Sequence, residues 1–341
     1  MPHRTQAAAL PAQPFFASPG QRVALARERF FGGGQRPTGL VSEPVIQSWA
    51  RCVGAHRSPH EAVAFDPVTR SRLHATLSRN RLLLGAAGGE IARLEAALGG
   101  TGCRVLLTDA EGVIVHATPA TAPTLEPVLK SAARVGVNLA EGAVGTNAPA
   151  VVVKTGQAVT VTGAEHYFAC IQSLHCAAAP IRDGRGALAG VLDLTIESRA
   201  FGFDAAALVG VYATAIENRL LQAGACEHLV LQFQVCHTML GTPLQALVGV
   251  DGHGRVAWLN STAQQLLGPG SGRESAAEAL FGTALAELLA RSAADAARPL
   301  RLPNGLTVWL RAQLQARDGV RGGVAVPGAP LALAPAAAPS P

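Results

Sequence analysis

Residues 136–194 read GVNLAEGAVGTNAPAVVVKTGQAVTVTGAEHYFACIQSLHCAAAPIRDGRGALAGVLDL. This stretch joins a polar, glycine-rich helix entry to a segment dense in His, Cys and Tyr. It ends in two apolar runs that are connected by Asp183-Gly184-Arg185-Gly186, a turn sequence between strands. A sheet with polar groups gathered at its rim is what a pocket for a small ligand requires. The stretch therefore predicts a sensor domain.

Working outward from this stretch, the hydrophobic periodicity predicts one sheet-bearing domain. The expected elements are a hairpin at 103–109 and 113–117, helices at 124–135 and 145–155, a strand at 158–162, and a hairpin at 176–181 and 187–196. The order β-β-α-α-β-β-β predicts an antiparallel sheet with the helices segregated to one side, which is an α+β fold.

Helical patterns flank this domain on both sides. Ser42 precedes Glu43-Pro44 as a candidate N-cap, and apolar residues from 66 to 98 recur at helical spacing. Gly85, Gly88 and Gly89 weaken the middle of that long pattern, so a kink or a division into two helices is expected there. After the sheet, a helical stripe from Asp204 to about Leu231 predicts a linker helix that also dimerises.

A second sheet-bearing unit follows the linker. The pattern predicts a hairpin at 244–250 and 255–259, a helix at 260–267 capped by Asn260 or Ser261, a helix at 276–291, and a hairpin at 300–302 and 306–314. The expected plan is disorder at 1–20, a helical head at 21–65, a sensor domain at 66–202, a linker at 203–238, a second domain at 239–316, and a disordered tail at 317–341.

Composition narrows the class of protein. The chain has 341 residues, 49% of them hydrophobic, which suffices for buried cores. Its six cysteines include no CxxC pair, so free thiols are expected. The net charge of +5 comes from residues 1–60, where seven arginines face two glutamates, but these arginines are not clustered, so direct DNA binding is doubtful. No stretch is long enough to span a membrane, and the start lacks a signal-peptide core, which predicts a cytoplasmic protein with no membrane partner.

Several short motifs occur in a specific order. They are Ser48-Trp49-x-Arg51-Cys52, Glu141-x3-Gly145-Thr146-Asn147, Gly163-x-Glu165-His166, Cys176-x3-Pro180-Ile181 and Gly190-x-Leu192-Asp193. Together they resemble the sensory region of acetoin-catabolism-type, σ54-dependent transcriptional activators of the Fis family. The resemblance covers about residues 20–235 and implies a GAF-like domain behind a helical head. The later sequence GVDGHGRVAWLNSTAQQLLG resembles the start of a PAS domain.

The resemblance implies a sensor that binds a small organic effector and controls an attached output, usually an AAA+ ATPase and a helix-turn-helix. A phosphate-binding loop requires Gly-Lys-Ser/Thr, yet the two lysines, Lys130 and Lys154, follow Leu129 and Val153. No ATPase output is therefore expected. The segment after Arg317 also lacks the periodicity of a helix-turn-helix. The alternative is a truncated protein-interaction module that modulates a full-length regulator by heterodimerisation. The candidate protein partners are a second copy of this chain in a homodimer, a full-length regulator and the transcription machinery.

The candidate ligand-binding residues are Asn138, Glu141, Thr146, Asn147, His166, Tyr167, Cys176 and Asp193. Some of them have a structural alternative. Glu141, Thr146 and Asn147 could cap the helix that Pro149 begins, and Asp193 could anchor a loop backbone in place of a ligand.

Catalytic and metal chemistry have little support in the sequence. The chain has no GxSxG or HExxH motif, so no enzyme is expected. The spacing of His166, Cys170, His175 and Cys176 matches no common zinc pattern, so neither a metal nor a cofactor is expected. A thiol-oxidation sensor at Cys170 and Cys176 remains an alternative.

Overall fold

The computed structural model describes residues 18–119, 126–224, 228–294 and 296–315. The described residues form two compact units, one within 1–224 together with 242–244 and the other within 225–241 and 245–341. Predictions that fall on residues 1–17, on the start of the helix expected at 124–135, on Cys226 and on residues 317–341 lie outside the described residues.

The first unit begins with a helical head. Its helices are α1 (Pro19–Arg27), a π-helical turn (Glu28–Gly32), α2 (Glu43–Gly54), α3 (Arg70–Arg79) and α4 (Arg81–Ala97). The long helical pattern divides at Asn80, not at the glycines where a kink was expected. The Asn80 amide donates to the Thr76 carbonyl at 2.9 Å and so closes the end of α3. Helix α4 runs through its glycines because Ala87, Ile91 and Leu94 are buried in a core cluster, and tertiary packing outweighs helix propensity.

A five-stranded antiparallel sheet follows. Its elements are β1 (Arg104–Asp109), β2 (Ile114–Ala117), α5 (Pro127–Ala132), α6 (Glu141–Val144), α7 (Ala148–Thr155), β3 (Val159–Thr162), β4 (Leu174–Arg182), β5 (Leu188–Glu197) and α8 (Ala205–Ala223), with short 3-10 turns at Gly163–Glu165 and Ala169–Ile171. The strand order is β2-β1-β5-β4-β3. This confirms the predicted α+β class.

Helices cover both faces of this sheet, which corrects the expectation that they lie on one side. One core cluster joins Leu106 of β1 to α2 and α7. The other joins Val105 and Leu107 of the same strand to α4 and α8. Successive strand residues point to opposite faces, so a strand such as β1, whose residues are buried at every position, needs cover on both.

Helix α8 ends at Ala223, well before the expected end near Leu231. Residues His228–Gln234 instead form β6, in which Leu229, Leu231 and Phe233 enter the core of the second unit. These three leucine and phenylalanine residues alternate with a period of two, which is the spacing of a strand. The pattern of a short apolar run is compatible with both a helix and a strand, and here the run pairs with strands of the second unit's sheet.

The second unit holds another five-stranded antiparallel sheet, in the order β8-β7-β6-β10-β9. Its remaining elements are β7 (Ala246–Val250), β8 (Val256–Leu259), α9 (Ser261–Leu267), α10 (Ala277–Phe281), α11 (Leu285–Arg291), β9 (Arg298–Arg301) and β10 (Thr307–Gln315), with a 3-10 turn at His237–Met239. Of the two predicted caps for α9, Asn260 is the cap, since its side chain accepts from the Ala263 amide. No helix of the described ranges is both long and apolar enough to cross a bilayer.

Candidate ligand-binding site

A cavity of about 30 Å³ lies within the first unit, against the β1, β4 and β5 strands. Its wall is mostly apolar and comprises Phe65, Leu106, Leu129, Ala132, Leu139, Val144, Pro149, Ile171 and Leu174, with the polar residues Asn147, Cys176, Asp193 and Thr195. For comparison, an apolar cavity of about 150 Å³ accommodates benzene. The cavity therefore admits only very small guests unless a wall element moves.

Asp193 is the charged residue in this wall, and it is 1% exposed. Its Oδ2 is hydrogen-bonded to the Thr195 hydroxyl. Its Oδ1 is buried and has no hydrogen-bond partner among the described residues. Burial raises the pKa of Asp193 from 3.8 to about 7. The carboxyl is thus an unsatisfied polar group beside an apolar cavity, which proteins rarely tolerate without a reason.

The prediction that Asp193 could anchor a loop backbone does not match this arrangement, because the carboxyl bonds to Thr195 of its own strand. Thr195 was not among the predicted residues. The signal for it was present, since residues two apart on a strand face the same side, and Asp193-Leu194-Thr195 has that spacing.

Asn147 lines the cavity and also caps α7. Its Oδ1 accepts from the Ala150 amide at 3.0 Å. Its Nδ2 donates to the carbonyls of Leu139 and Gly145, both at 2.9 Å. The capping role that the sequence offered as an alternative is therefore present, and both amide protons of Asn147 are used within the protein.

Glu141 and Thr146 do not line the cavity but form a junction with the head. The Glu141 carboxylate accepts from Arg51 at 2.7 and 2.8 Å and from the Ser48 hydroxyl at 2.7 Å. The Thr146 hydroxyl lies 2.8 Å from that of Ser48. Two of the sequence motifs, one on α2 and one around α6, thus bind each other.

His166 lies beside Cys176, behind the cavity wall. The His166 Nδ1 is 3.0 Å from the Gly163 carbonyl, and its Nε2 is 3.5 Å from the Cys176 sulfur. Complete burial lowers the pKa of His166 to about 4, so the ring is neutral at physiological pH. Cys176, which does line the cavity, is buried as well, and burial raises its pKa well above 9.0.

Tyr167 and Asn138 have structural partners elsewhere. The Tyr167 hydroxyl donates to the Arg57 carbonyl at 2.6 Å, and its ring packs edge-on against Phe31 and Phe168. Asn138 is half-buried, and its Oδ1 accepts from the Ala140 amide at 2.9 Å. Of the eight predicted residues, the structure brings Asn147, Cys176 and Asp193 together at the cavity.

A larger pocket of about 450 Å³ opens on the outer side of the same wall. Phe65 lines both spaces. Helix α5 also separates them, because Leu129 and Ala132 face the inner cavity whereas Val128 and Ser131 face the outer pocket. Phe65 and α5 are therefore the elements that a guest would have to displace to pass from one to the other.

A metal centre has no visible basis in the part of the chain that the structure describes. No three His, Cys, Asp or Glu residues there are placed to hold an ion together. His175 and Cys176 are neighbours on β4, and His175 is half-buried whereas Cys176 is buried, as opposite faces of a strand require.

Comparison with known families and proteins gives a consistent result. The family described as "MimR, N-terminal domain" matches residues 19–218. The acetoin catabolism regulatory protein of Cupriavidus necator is 29% identical over 236 residues, which are 67% of this chain and 35% of that protein. The propane 2-monooxygenase operon transcriptional activator MimR of Mycolicibacterium goodii is 30% identical over 180 residues, 51% of this chain and 29% of that protein.

These matches confirm the resemblance to the sensory regions of acetoin-catabolism-type regulators. The matched part spans about a third of the length of the curated relatives. Among solved structures, the E. coli DhaR(N)-DhaL complex aligns with 80% of this chain and 99% of that chain, at 16% identity and a TM-score of 0.49.

Proposed function

The chain belongs to the family of the MimR N-terminal domain, and on that basis we propose that it is the sensory part of a transcriptional regulator that binds a small organic effector. The proposed site is the inner cavity of the first unit. One observation carries the proposal: Asp193 is buried at the wall of an apolar cavity with Oδ1 unpartnered. A guest that satisfies this oxygen would recover the free energy that its burial costs.

The sheet offers a route by which a guest bound in the cavity would affect helices on the opposite face of the sheet. Asp193 and Thr195 of β5 line the cavity. Leu192 and Leu194 of the same strand belong to the core cluster that holds α4 and α8. Displacement of β5 by a guest would act on both faces at once, and we propose that it shifts the population of α8 arrangements.

The output is proposed to lie outside these residues. Neither Lys130 nor Lys154 stands in a Gly-Lys-Ser/Thr sequence, so the phosphate-binding loop of an ATPase would have to belong to another segment or another protein. The sensory part would then control that output through its conformation.

Self-association and pairing with a full-length regulator also remain proposals. Both were argued from an exposed apolar stripe on α8. Most of that stripe is used within the first unit: Ala215 and Ile216 are buried, Leu208 and Leu220 are partly buried against the core cluster of α4 and α8, and Val211 stays 40% exposed. No described feature therefore favours the interaction module over the sensor, and sedimentation equilibrium over a range of concentrations would test association directly.

The test of the sensor function is a binding screen with the full chain. Small neutral compounds are added. The midpoint of thermal unfolding of the chain and the NMR signals of each compound are recorded. A matched pair of variants on α5 locates any site: Ala132→Leu fills the cavity wall, whereas Lys130→Leu puts the same side chain on the exposed side of the helix.

We expect binding to the original chain and to Lys130→Leu, and none to Ala132→Leu. Binding that survives in Ala132→Leu would place the site elsewhere. If no compound of any class binds to the original chain, the sensor proposal fails.

A further inference from the structure

A chain of buried polar side chains runs from the cavity into the protein. Asp193 Oδ2 is bonded to the Thr195 hydroxyl, whose oxygen is 3.3 Å from the Cys176 sulfur. That sulfur is 3.5 Å from His166 Nε2. These side chains are at most 3% exposed. Only one end of the chain, Asp193 Oδ1, is left without a partner among the described residues.

The directions of these hydrogen bonds follow from His166, which lies at the opposite end of the row of polar side chains from Asp193. A carbonyl oxygen only accepts, so His166 carries its proton on Nδ1 and donates it to the Gly163 carbonyl. The Nε2 is then an acceptor, and the Cys176 thiol donates to it. The single Thr195 proton remains for either Cys176 or Asp193.

In the empty cavity, both protonation states of Asp193 leave Oδ1 as an acceptor. If the carboxyl is ionised, Thr195 donates to Oδ2, and Oδ1 keeps its lone pairs. If the carboxyl is protonated, the proton belongs on Oδ2, where the Thr195 oxygen accepts it and the Thr195 proton turns to Cys176. A proton on Oδ1 would have no acceptor in the described wall of the empty cavity, which is the costlier choice. A guest carbonyl would accept such a proton, so it is the ionised carboxylate that favours a hydroxyl donor over a ketone.

The rest of the wall offers little else to a polar guest. Both Asn147 amide protons are already donated to backbone carbonyls. No positively charged residue lines the cavity, and the remaining wall is apolar. An anion would therefore meet a carboxyl group and no counter-charge, at a high cost of desolvation.

We infer that the effector is a neutral alcohol, whose hydroxyl donates to Asp193 Oδ1 while its hydrocarbon part fills the apolar wall. This inference rests on the proposed sensor function and adds the chemical class of the effector. It makes Asp193 the residue that determines specificity, and Thr195 the residue that orients it through Oδ2.

The test uses three probes of similar size, each with four non-hydrogen atoms: isopropanol, acetone and acetate. Their dissociation constants for the full chain are measured by ligand-observed NMR at about pH 9, where the carboxyl of Asp193 is ionised. We expect isopropanol to bind about tenfold more tightly than acetone, since a hydrogen bond to a buried acceptor contributes on the order of 1.4 kcal/mol or more. Acetate should not bind.

Two variants assign this preference to its residue. In Asp193→Leu the acceptor is lost and Thr195 can still donate to Cys176, so isopropanol and acetone should bind equally. Asp109→Asn is the matched control, because Asp109 is also buried with one unpartnered oxygen, Oδ2, but does not line the cavity. The Asp109→Asn variant should keep the original chain's preference for isopropanol over acetone.

The outcomes separate the two proposals. Failure of all three probes and of the wider screen would remove the sensor function itself. Binding of acetone as tight as that of isopropanol, or an alcohol preference that persists in Asp193→Leu, would overturn the inference and leave the sensor function standing. A crystal of the full chain soaked in isopropanol that shows an ordered water alone at Asp193 would also overturn it.

Discussion

The hydroxyl oxygen of Ser48 lies 2.8 Å from that of Thr146 in the interior of the first unit, although the two residues are 98 positions apart. Ser48 belongs to α2 of the head, and Thr146 precedes the helix whose cap, Asn147, lines the cavity. The head is thus bonded to the residue next to the cavity wall. We expect the head and the cavity to be energetically coupled through this contact.

Glu141→Gln tests the junction between the head and the sheet. The Glu141 carboxylate is buried and accepts two hydrogen bonds from Arg51, whereas Gln keeps only one acceptor oxygen and no charge. We expect the free energy of unfolding of the first unit to fall by about 1–3 kcal/mol. Replacing Trp258 and Trp309 by Phe leaves Trp49, in the head, as the single fluorescent reporter of this unit.

Glu43→Gln is the matched control in the same single-tryptophan chain. Glu43 pairs with Arg36, and both side chains are about half exposed, so the pair contributes little. A change of less than about 0.5 kcal/mol is expected. Equal losses in both variants would show that burial of Glu141 adds nothing to the junction.

Gly145→Ala should disrupt the turn between α6 and α7. Gly145 has φ +68° and ψ −156°, a backbone region that is essentially restricted to glycine. A Cβ at this position would also lie 2.7 Å from the Phe168 ring. We expect a loss of about 2–4 kcal/mol in the unfolding of the first unit, from strain and overpacking together.

Gly142→Ala, three residues earlier, serves as the control for that turn. Gly142 lies inside α6, and a Cβ there would meet no atom within 4 Å. It should be neutral or stabilise by about 0.5–1 kcal/mol, because alanine loses less entropy in a helix. The account of Gly145 is wrong if the two alanine variants unfold alike.

The sequence predicted the element types well wherever long periodic patterns or turn residues were present. The hairpins on either side of Gly112 and of Gly186, and the Asn260 cap, needed only local information. The strand at Leu229–Phe233 did not, because a short apolar run is decided by the sheet that receives it.

The candidate site was predicted in part for a similar reason. Asn147, Cys176 and Asp193 are polar residues in apolar surroundings, which is a local signal, and all of them line the cavity. Glu141 and Thr146 give the same signal, but their partners Ser48 and Arg51 lie about 90 residues away and were not paired with them. Phe65 carried no signal, since its position between two pockets is a property of the folded chain.

Phe65→Ala should open the wall between the inner cavity and the outer pocket. Phe65 is the residue that lines both, so its truncation would join them. We expect association and dissociation of any guest to become faster, and guests larger than isopropanol to gain affinity. NMR exchange line shapes measure the rates. Val63→Ala, which truncates a residue of the outer pocket alone, should leave them unchanged; slower or unaltered exchange in Phe65→Ala would exclude this route.

Thiol labelling tests the alternative of an oxidation sensor. Cys170 and Cys236 are exposed, whereas Cys52, Cys103 and Cys176 are buried. Burial raises the pKa of Cys103 to about 12 and that of Cys176 well above 9.0, and a neutral buried thiol is a poor nucleophile.

With iodoacetamide at mildly alkaline pH, peptide mass mapping of the native chain should therefore show rapid modification of Cys170 and Cys236 and slow modification of the three buried thiols. Urea should make all of them reactive. Rapid labelling of Cys176 in the native chain would instead support a redox role for it.

The pH dependence of stability tests the environment of Asp193. Burial raises its pKa from 3.8 to about 7, so the folded state favours the protonated acid. This contribution to stability is fully present below about pH 4 and is lost as the pH rises through about 7. The thiols of Cys103 and Cys176 interact electrostatically with this carboxyl, and burial raises the pKa of both, so they stay neutral over the range.

Other groups titrate in the same range, so the measurement must be a difference between variants. Burial lowers the pKa of His166 to about 4, which destabilises the fold as the pH falls from 6.5, opposite to the effect of Asp193. Burial raises the pKa of Asp109 to about 6, so Asp109 acts in the same direction as Asp193. Both are present in the original chain and in Asp193→Leu and therefore cancel. Between pH 4 and 7 the stability of the original chain relative to Asp193→Leu should fall by on the order of 4 kcal/mol, from roughly 1.36 kcal/mol for each pKa unit; a difference that stays constant with pH would mean that Asp193 is solvated in the folded protein.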